Sequence, residues 1–466
     1  MVGMTVDAAG LTRFDHPNLQ ANYERACRRY PAQAIVDLAA LRDNMRHLVE
    51  IVNADPAKPH RTEVMGVVKA DAYGHGLVPA ALAALAGGAT WLGTAQAHEA
   101  LELRRAGIGP ERARILTWVN DPYEVPYDEL LRQHIDVSVG TPDAVEQLAK
   151  AAEAVQRFVR GADPIVAHVH VKVDTGFGRN GFTLNQLDLI APRLKQLQDA
   201  GLFEITGQWS HLAVADAPDV PEFVHETDEQ VARFEEFTRH MQEAGIEPRI
   251  RHLANTAATL SRPEIHYDLV RPGVALYGYE PDPAMGTPQD YGLTPAMTLQ
   301  AQLSSVKHVP QGTGLSYGRV YVTDAPTSVA IVPVGYADGI HRSASGFDRC
   351  GSRHEDRKGG PVAFMTRDGV QVRHVSGRVC MDQFIVDLHG DAKELGIDIG
   401  DTVQLFGPGR GEAYGEPTAD DWAKAADTIS YEIFTCLRNR VPRLYRNAAS
   451  VLDADDLAML DQNALI

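Results

Sequence analysis

Between Val64 and Leu276 short apolar, β-branched runs alternate eight times with longer stretches, and that rhythm constrains the fold more than any other feature of the chain. The candidate strands are Val64–Lys69, Trp91–Thr94, Arg114–Val119, Ile135–Val139, Val166–Val173, Ile205–Ser210, Ile250–Leu253 and Leu269–Leu276. Helical spacing marks Leu77–Ala86, Ala97–Ala106, Pro142–Arg157, Leu184–Ala200 and Glu229–Ala244 between them. Eight βα units over roughly 250 residues predict an α/β TIM (β/α)8 barrel, in which chemistry gathers at the carboxyl ends of the strands. A doubly wound open sheet is the alternative that a strand count alone leaves standing.

After Gly278 the long helices stop. Thr298–Ser305, Ser328–Val334, Gly369–Val375, Gln383–Asp387 and Thr402–Leu405 read as strands separated by turns, followed by a helical stretch over Asp421–Arg438. We therefore expect three stretches: an N-terminal extension over 1–32 reading as a loose arm, the barrel over 33–280, and a mainly antiparallel β domain over 281–466. Residues 342–360 are polar and glycine-rich and are expected to form an exposed insertion.

Of the 466 residues 44% are hydrophobic, enough for a sizeable core. Lys and Arg number 44 against 62 Asp and Glu, a net charge of −18 that disfavours nucleic acid and anionic membranes as partners. Cys27, Cys350, Cys380 and Cys436 are too scattered for a disulfide framework, and neither a signal peptide nor a membrane-length apolar run is visible, so a cytoplasmic location is expected.

The first strand ends in Lys69. Taken alone a lysine just past a strand is ordinarily solvated, yet in a barrel mouth desolvation favours the neutral amine that forms a Schiff base. The run from Val67 through Lys69-Ala70-Asp71-Ala72-Tyr73 to Gly74-His75-Gly76 resembles the cofactor-attachment motif of the alanine racemase family, which binds pyridoxal 5'-phosphate. The resemblance extends from about residue 33 to 446. It implies that Lys69 joins the cofactor and doubles as a catalytic base, and that Tyr73 reaches the phosphate.

Further blocks of the family occur in order. Lys172-Val173-Asp174-Thr175-Gly176-Phe177-Gly178-Arg179 is similar to the segment whose arginine holds the substrate carboxylate, which makes Arg179 substrate-binding and Lys172 a candidate for carbamylation. Ser210-His211-Leu212 and His252-Leu253-Ala254-Asn255-Thr256 resemble two strand ends, implying that His211 bridges polar groups around the cofactor and that Asn255 and Thr256 contact its phosphate. The last barrel block, Leu269 to Gly278, implies that Arg271 faces the pyridine nitrogen and leaves it largely unprotonated, and that the amides of Gly273 and Val274 add to phosphate binding.

Inverting an α-carbon calls for bases on both faces. The block Leu315-Ser316-Tyr317-Gly318 resembles the segment bearing the family's second base, which acts from the other subunit, so Tyr317 is expected to serve a partner's site in a homodimer. Tyr336, in Pro333–Gly339, resembles a residue lining the entrance. Met381, in Gly377–Gln383, resembles a backbone contact to the substrate carboxylate, and Tyr431 a second gate tyrosine that touches the phosphate. Cys380 and Asp382 lack a histidine cluster nearby, so no metal is expected.

The resemblance thus implies a homodimeric racemase interconverting L- and D-alanine and supplying D-alanine for peptidoglycan. Racemisation of serine is the nearest rival, since one hydroxyl is hard to exclude. A barrel decarboxylase would need an acid where Arg271 stands, and a non-catalytic cofactor-binding barrel would lack Tyr317.

Overall fold

The structure, a computed structural model, describes residues 17–58, 60–158, 164–347 and 357–463. Residues 1–16 of the expected extension and 348–356 of the expected insertion, Cys350 among them, lie outside the described residues. The chain divides into two compact units.

The first unit holds residues 41–72 and 77–293. Its eight strands are β1 (Glu63–Val67), β2 (Trp91–Thr94), β3 (Arg114–Thr117), β4 (Asp136–Val139), β5 (Ala167–Lys172), β6 (Phe203–Trp209), β7 (Ile250–His252) and β8 (Leu269–Val270). All are parallel and pair in order from β1 to β7, while β8 pairs with β1. Asp268 donates to the Arg251 carbonyl at 3.1 Å and Arg271 to that of Ala254 at 3.0 Å, so the seam between β7 and β8 is drawn nearly closed. This is the expected eight-stranded barrel.

Among the details that differ from the sequence pattern, such as a first strand ending at Val67 rather than Lys69, two have a clear local cause. The last strand stops at Val270, because Pro272 has no amide to donate and the chain turns at Gly273 into a 3₁₀ turn over Val274–Tyr277. The long helix begins at Pro221, eight residues before the expected start at Glu229, with a proline in the first turn where its missing amide costs nothing.

Beyond β1 the backbone takes a rarer course. Ala70, Asp71, Ala72 and Tyr73 have φ between 52° and 56°, a left-handed turn built from residues with side chains. Carboxylates hold its barrel end: Ala70 N donates to Glu99 Oε1 at 2.6 Å, and Leu77 N to Asp71 Oδ1 at 2.8 Å. The other Glu99 oxygen accepts the amides of Ala95 and Gln96 at 3.0 Å each, at the start of the helix Ala97–Arg105.

The second unit holds the described residues up to Ala40, residues 73–76, and those from Thr294 onward. Its six-stranded sheet runs, in spatial order, Gly369–His374, Pro361–Thr366, Thr402–Phe406, Met297–Gln302, Ala32–Asp37, Arg443–Arg446. Every pair is antiparallel except the last. A three-stranded antiparallel sheet joins Ser305–Val309, Thr327–Val332 and Phe384–Asp387.

Pro17–Arg29, read in the sequence as part of a loose arm, is a helix whose Tyr23 and Ala26 are buried, with the Gln300 amide donating to Tyr23 Oη at 3.4 Å. Its apolar stripe is short, and burial against the unit supplies what periodicity did not. The helical stretch Asp421–Arg438 is two helices, Ala419–Ala426 and Ser430–Thr435, divided at Asp427, whose φ is 60°.

Glu99→Ala leaves three amides without their carboxylate and should lower stability by several kcal/mol, because hydrogen bonds to buried charge are worth roughly 1.5–3 kcal/mol each and water entering the vacated space returns only part of that. Denaturant titration of the variant against the parent reads this directly. An unchanged midpoint would show that the turn does not depend on Glu99.

Candidate active site

Lys69 follows β1 and is half-buried. Burial pushes its ammonium below the ordinary lysine range and the Arg179 guanidinium pushes the same way, while the Glu99 carboxylate opposes both. His211, just past β6, lies well below the ordinary histidine range because of burial and the charges of Arg271, Arg179, Lys69 and Lys172, so it is neutral at pH 7. The barrel thus brings together five of the expected groups in one cationic field. Arg179 itself is exposed, its guanidinium 4.2 Å over the Phe177 ring, which meets His211 edge-on at 5.6 Å.

Lys172 ends β5 and is buried, with Nζ 4.6 Å over the Trp209 ring. Burial, with Arg179 and Arg271 adding to it, brings its pKa down to about 8. Arg271 is buried 5.0 Å over the same indole and donates to the Ser210 carbonyl at 2.7 Å and to that of Leu253 at 3.1 Å. Burial lowers its pKa to about 9, still above neutrality, so it is a cation at pH 7.

Behind Arg271 runs a chain that inspection of the sequence did not pick out. The guanidinium meets His252 Nδ1 at 3.3 Å, His252 Nε2 meets His170 Nδ1 at 2.8 Å, His170 Nε2 meets Asp136 Oδ2 at 3.1 Å, and Arg114 donates to that same oxygen at 2.5 Å. It ends at a cavity of about 260 Å³ lined by Arg104, Arg114, His134, Asp136 and His168. The signal was available: His168, His170 and Lys172 alternate along one strand and so share a face.

The expected phosphate contacts meet where the barrel closes. Asn255 caps the short helix Thr256–Ser261 by accepting the Ala258 amide at 3.1 Å, and the Gly273 amide donates to Thr256 Oγ1 at 2.8 Å, with Val274 beginning the turn that follows. These residues fit pyridoxal phosphate: a desolvated amine, a hydroxyl beside backbone amides, and a buried guanidinium that could face a ring nitrogen. The barrel strands carry Lys69, Lys172, His211, Asn255, Thr256 and Arg271 at or just past their carboxyl ends.

In the second unit Tyr73 is buried, which raises its phenol pKa, and its ring lies 5.7 Å from that of Tyr431. Three other expected residues sit on interlocked loops. Tyr317 tops a turn in which Ser316 and Arg319 have φ of 59° and 47°, held by Ser316 Oγ donating to the Arg378 carbonyl at 2.6 Å. The Tyr336 amide donates to the Cys380 carbonyl at 3.0 Å, next to Met381. Tyr317, Tyr336 and Met381 are 70%, 37% and 52% exposed, although each is large and apolar.

Known proteins match across most of the chain. Residues 36–281 match the model of the alanine racemase N-terminal domain and residues 296–445 that of the C-terminal domain. An alanine racemase of Streptomyces coelicolor is 45% identical over 418 residues, covering 89% of this chain and 96% of its own, and one of Mycobacterium leprae is 40% identical over 420 residues, covering 90% and 96%. The crystal structure of alanine racemase from D-cycloserine-producing Streptomyces lavendulae is similar, with a TM-score of 0.78, 42% identity and coverage of 90% of this chain and 98% of that one.

The lowered pKa of Lys172 carries a pH signature. Between about 8 and the ordinary lysine value of 10.5 the unfolded chain holds a proton that the folded one has released. Stability from this group therefore rises with pH across that window and is lowest below it. Lys172→Met should remove the rise, so that the stability difference between variant and parent shrinks or reverses from pH 7 to pH 10 in carbon-dioxide-free buffer. A difference independent of pH would place Lys172 in contact with water.

Proposed function

We propose, for a chain that belongs to the alanine racemase family, that Lys69 and Tyr317 are the two bases of its reaction and that a second copy of the chain completes each active site. The chain is an amino-acid racemase that interconverts L- and D-alanine, and its family depends on pyridoxal phosphate. The observation that carries the assignment of the first base is Lys69 itself: a half-buried amine whose pKa is pushed down by desolvation and by a neighbouring guanidinium.

Pyridoxal phosphate, when joined to the amino acid, draws electrons from the α-carbon and makes its proton removable. The rest falls to the chain. Thr256, with Asn255 holding its helix start, and the amides of Gly273 and Val274 would hold the phosphate, and by the family resemblance Tyr73 and Tyr431 would add to it. Arg271, cationic and fixed by two carbonyls and His252, would meet the ring nitrogen of the cofactor and disfavour a proton there, which would limit its electron withdrawal. His211 is neutral and can accept a hydrogen bond without repelling the cations around it. Arg179 holds the substrate carboxylate, the Met381 amide assists, and Tyr336 lines the entrance. Lys69 takes the α-proton of D-alanine on one face and Tyr317 that of L-alanine on the other.

Support for the shared site comes from the exposure of Tyr317, Tyr336 and Met381 on one set of loops, since clustered exposed apolar groups mark surfaces that a partner covers. We read the barrel, expected over 33–280, as supplying most of the cofactor's contacts and 281–466 as contributing to the partner's site, and assign 1–32 no role. Lys172, with a pKa of about 8 and flanked by Arg179 and Arg271, is suited to carbamylation: its neutral amine adds to carbon dioxide and releases a proton, leaving an anion between two cations. A cytoplasmic place, supplying D-alanine to peptidoglycan, agrees with Cys27, Cys380 and Cys436 being free.

Lys69→Ala should lose the visible absorbance of the attached cofactor together with racemisation. Tyr317→Phe should keep the absorbance and lose roughly 10²–10⁴-fold in rate, the span typical of a positioned acid or base. Mixing the two inactive variants distinguishes a shared site from a self-contained one. If half the dimers are mixed and each has one intact site, activity should return to about a quarter of the parent's. No recovery after subunit exchange would refute the role of Tyr317 in the partner's site.

A further inference from the structure

We propose that His341, Glu432 and Cys436 of the second unit form a binding site for a divalent metal ion of the zinc class. One ligand atom from each, an imidazole nitrogen, a carboxylate oxygen and a thiol sulfur, lies within 4.8 Å of the other two. In a tetrahedral zinc site, bonds of about 2.0–2.3 Å put such atoms roughly 3.3–3.7 Å apart. His341 Nε2 and Glu432 Oε2 are 3.4 Å apart, so that pair already has the required separation, and the sulfur, within 4.8 Å of both, has to close by about 1 Å at most.

The backbone holds the donors in place. Glu432 and Cys436 are four residues apart at the end of the helix Ser430–Thr435, and the Cys436 amide donates to the Glu432 carbonyl at 3.0 Å, so both side chains leave one face. The loop carrying His341 is clamped to that helix end. The Arg438 amide donates to the Asp338 carbonyl at 3.0 Å, and a Cβ on Gly339, whose φ is 109°, would come within 2.2 Å of the Cys436 carbonyl. Thr428 Oγ1 donates to Glu432 Oε2, the same oxygen that faces His341, and holds that carboxylate in place through one of its lone pairs.

The donor set selects the metal. A sulfur ligand disfavours magnesium and calcium, while imidazole, carboxylate and thiolate together suit zinc, and cobalt(II) as its spectroscopic substitute. Burial raises the Cys436 thiol pKa and the Glu432 charge adds to it, so without a cation the sulfur stays protonated. A bound divalent ion reverses that balance, the thiol losing its proton to solvent as the metal–sulfur bond forms. Three protein ligands leave a fourth position for water. The site shares its helix with Tyr431, so occupancy would stiffen the segment that carries that residue.

The test is a titration of the full-length reduced, metal-free protein with cobalt(II) chloride. A thiolate-to-cobalt charge-transfer band in the near ultraviolet, with visible bands of tetrahedral intensity saturating at one ion per chain and bleached by zinc, is expected. Cys436→Ser should lose the charge-transfer band, while Cys27→Ser should keep it. Glu432→Gln, at a half-exposed position that tolerates an amide, should weaken binding at least tenfold. No band in the parent, or a band that survives in Cys436→Ser, overturns the proposal. So does unchanged affinity in Glu432→Gln.

Discussion

The carboxylate of Glu99 holds the segment on which the chemistry depends. Four consecutive residues in the left-handed region cost roughly 1–2 kcal/mol each, or about 4–8 kcal/mol for Ala70 to Tyr73. Two amide-to-carboxylate bonds, from Ala70 to Glu99 and from Leu77 to Asp71, return roughly 3–6 kcal/mol, and the Ala72 amide bonded to the Val68 carbonyl about 1 more. The strain is thus nearly balanced by local bonds. A right-handed turn would carry the chain the other way round and re-aim every side chain after β1, Lys69 first among them.

Arg271 poses the converse problem, a buried cation that must stay charged and still. Two carbonyls and the face of Trp209 satisfy it, and His252 meets its remaining edge. His252 is stacked on Trp209 at 6° between planes and tied through His170 to Asp136. The two imidazoles are buried and their pKa values are depressed, so the chain is neutral in the middle and charged at its ends. Such an arrangement fixes the tautomer of each ring by the partner of the other. Orientation passes from Arg114 and Asp136 at the starts of β3 and β4 to the guanidinium where the barrel closes.

Much of this was legible in the sequence, and the parts that were not have physical reasons. Leu77–Ala86 was readable to the residue because it is an uninterrupted apolar run, and Trp91–Thr94 because a short buried stretch is bounded on both sides by turn and helix signals. Ala32–Asp37 was missed as a strand because its pairing partner, Met297–Gln302, lies more than 250 residues away and local pattern carries no sign of it. The left-handed turn was invisible because Ala70 to Tyr73 contain no glycine, and the positive φ there goes with hydrogen bonds, among them that from Ala70 to Glu99, rather than with residue type. Lys69, Arg271 and Tyr317 could be picked out only because their neighbours repeat a family's motifs. The alternation of His168, His170 and Lys172 marked one face of a strand, but Asp136 stood in ordinary strand text, and its pairing with His170 exists only where two strands meet in the barrel core.

The electrostatics of the barrel explain why a chain with a net charge of −18 can work on anions. Arg271, Arg179, Lys69 and Lys172 concentrate positive charge around His211, and at Lys69 the Arg179 guanidinium adds to the larger effect of burial against the pull of Glu99, giving a locally cationic site within an acidic molecule. That field has two consequences that pull in one direction. It attracts a phosphate and an amino-acid carboxylate, and it penalises a proton on Lys69, leaving the amine able to act as nucleophile and base. Arrival of the anions relaxes the penalty, so the amine is least basic before the ligand is in place and recovers proton affinity once it is. On the proposed assignment of Lys69 as the residue that bonds the cofactor and accepts an α-proton, its basicity changes in the order those roles would need.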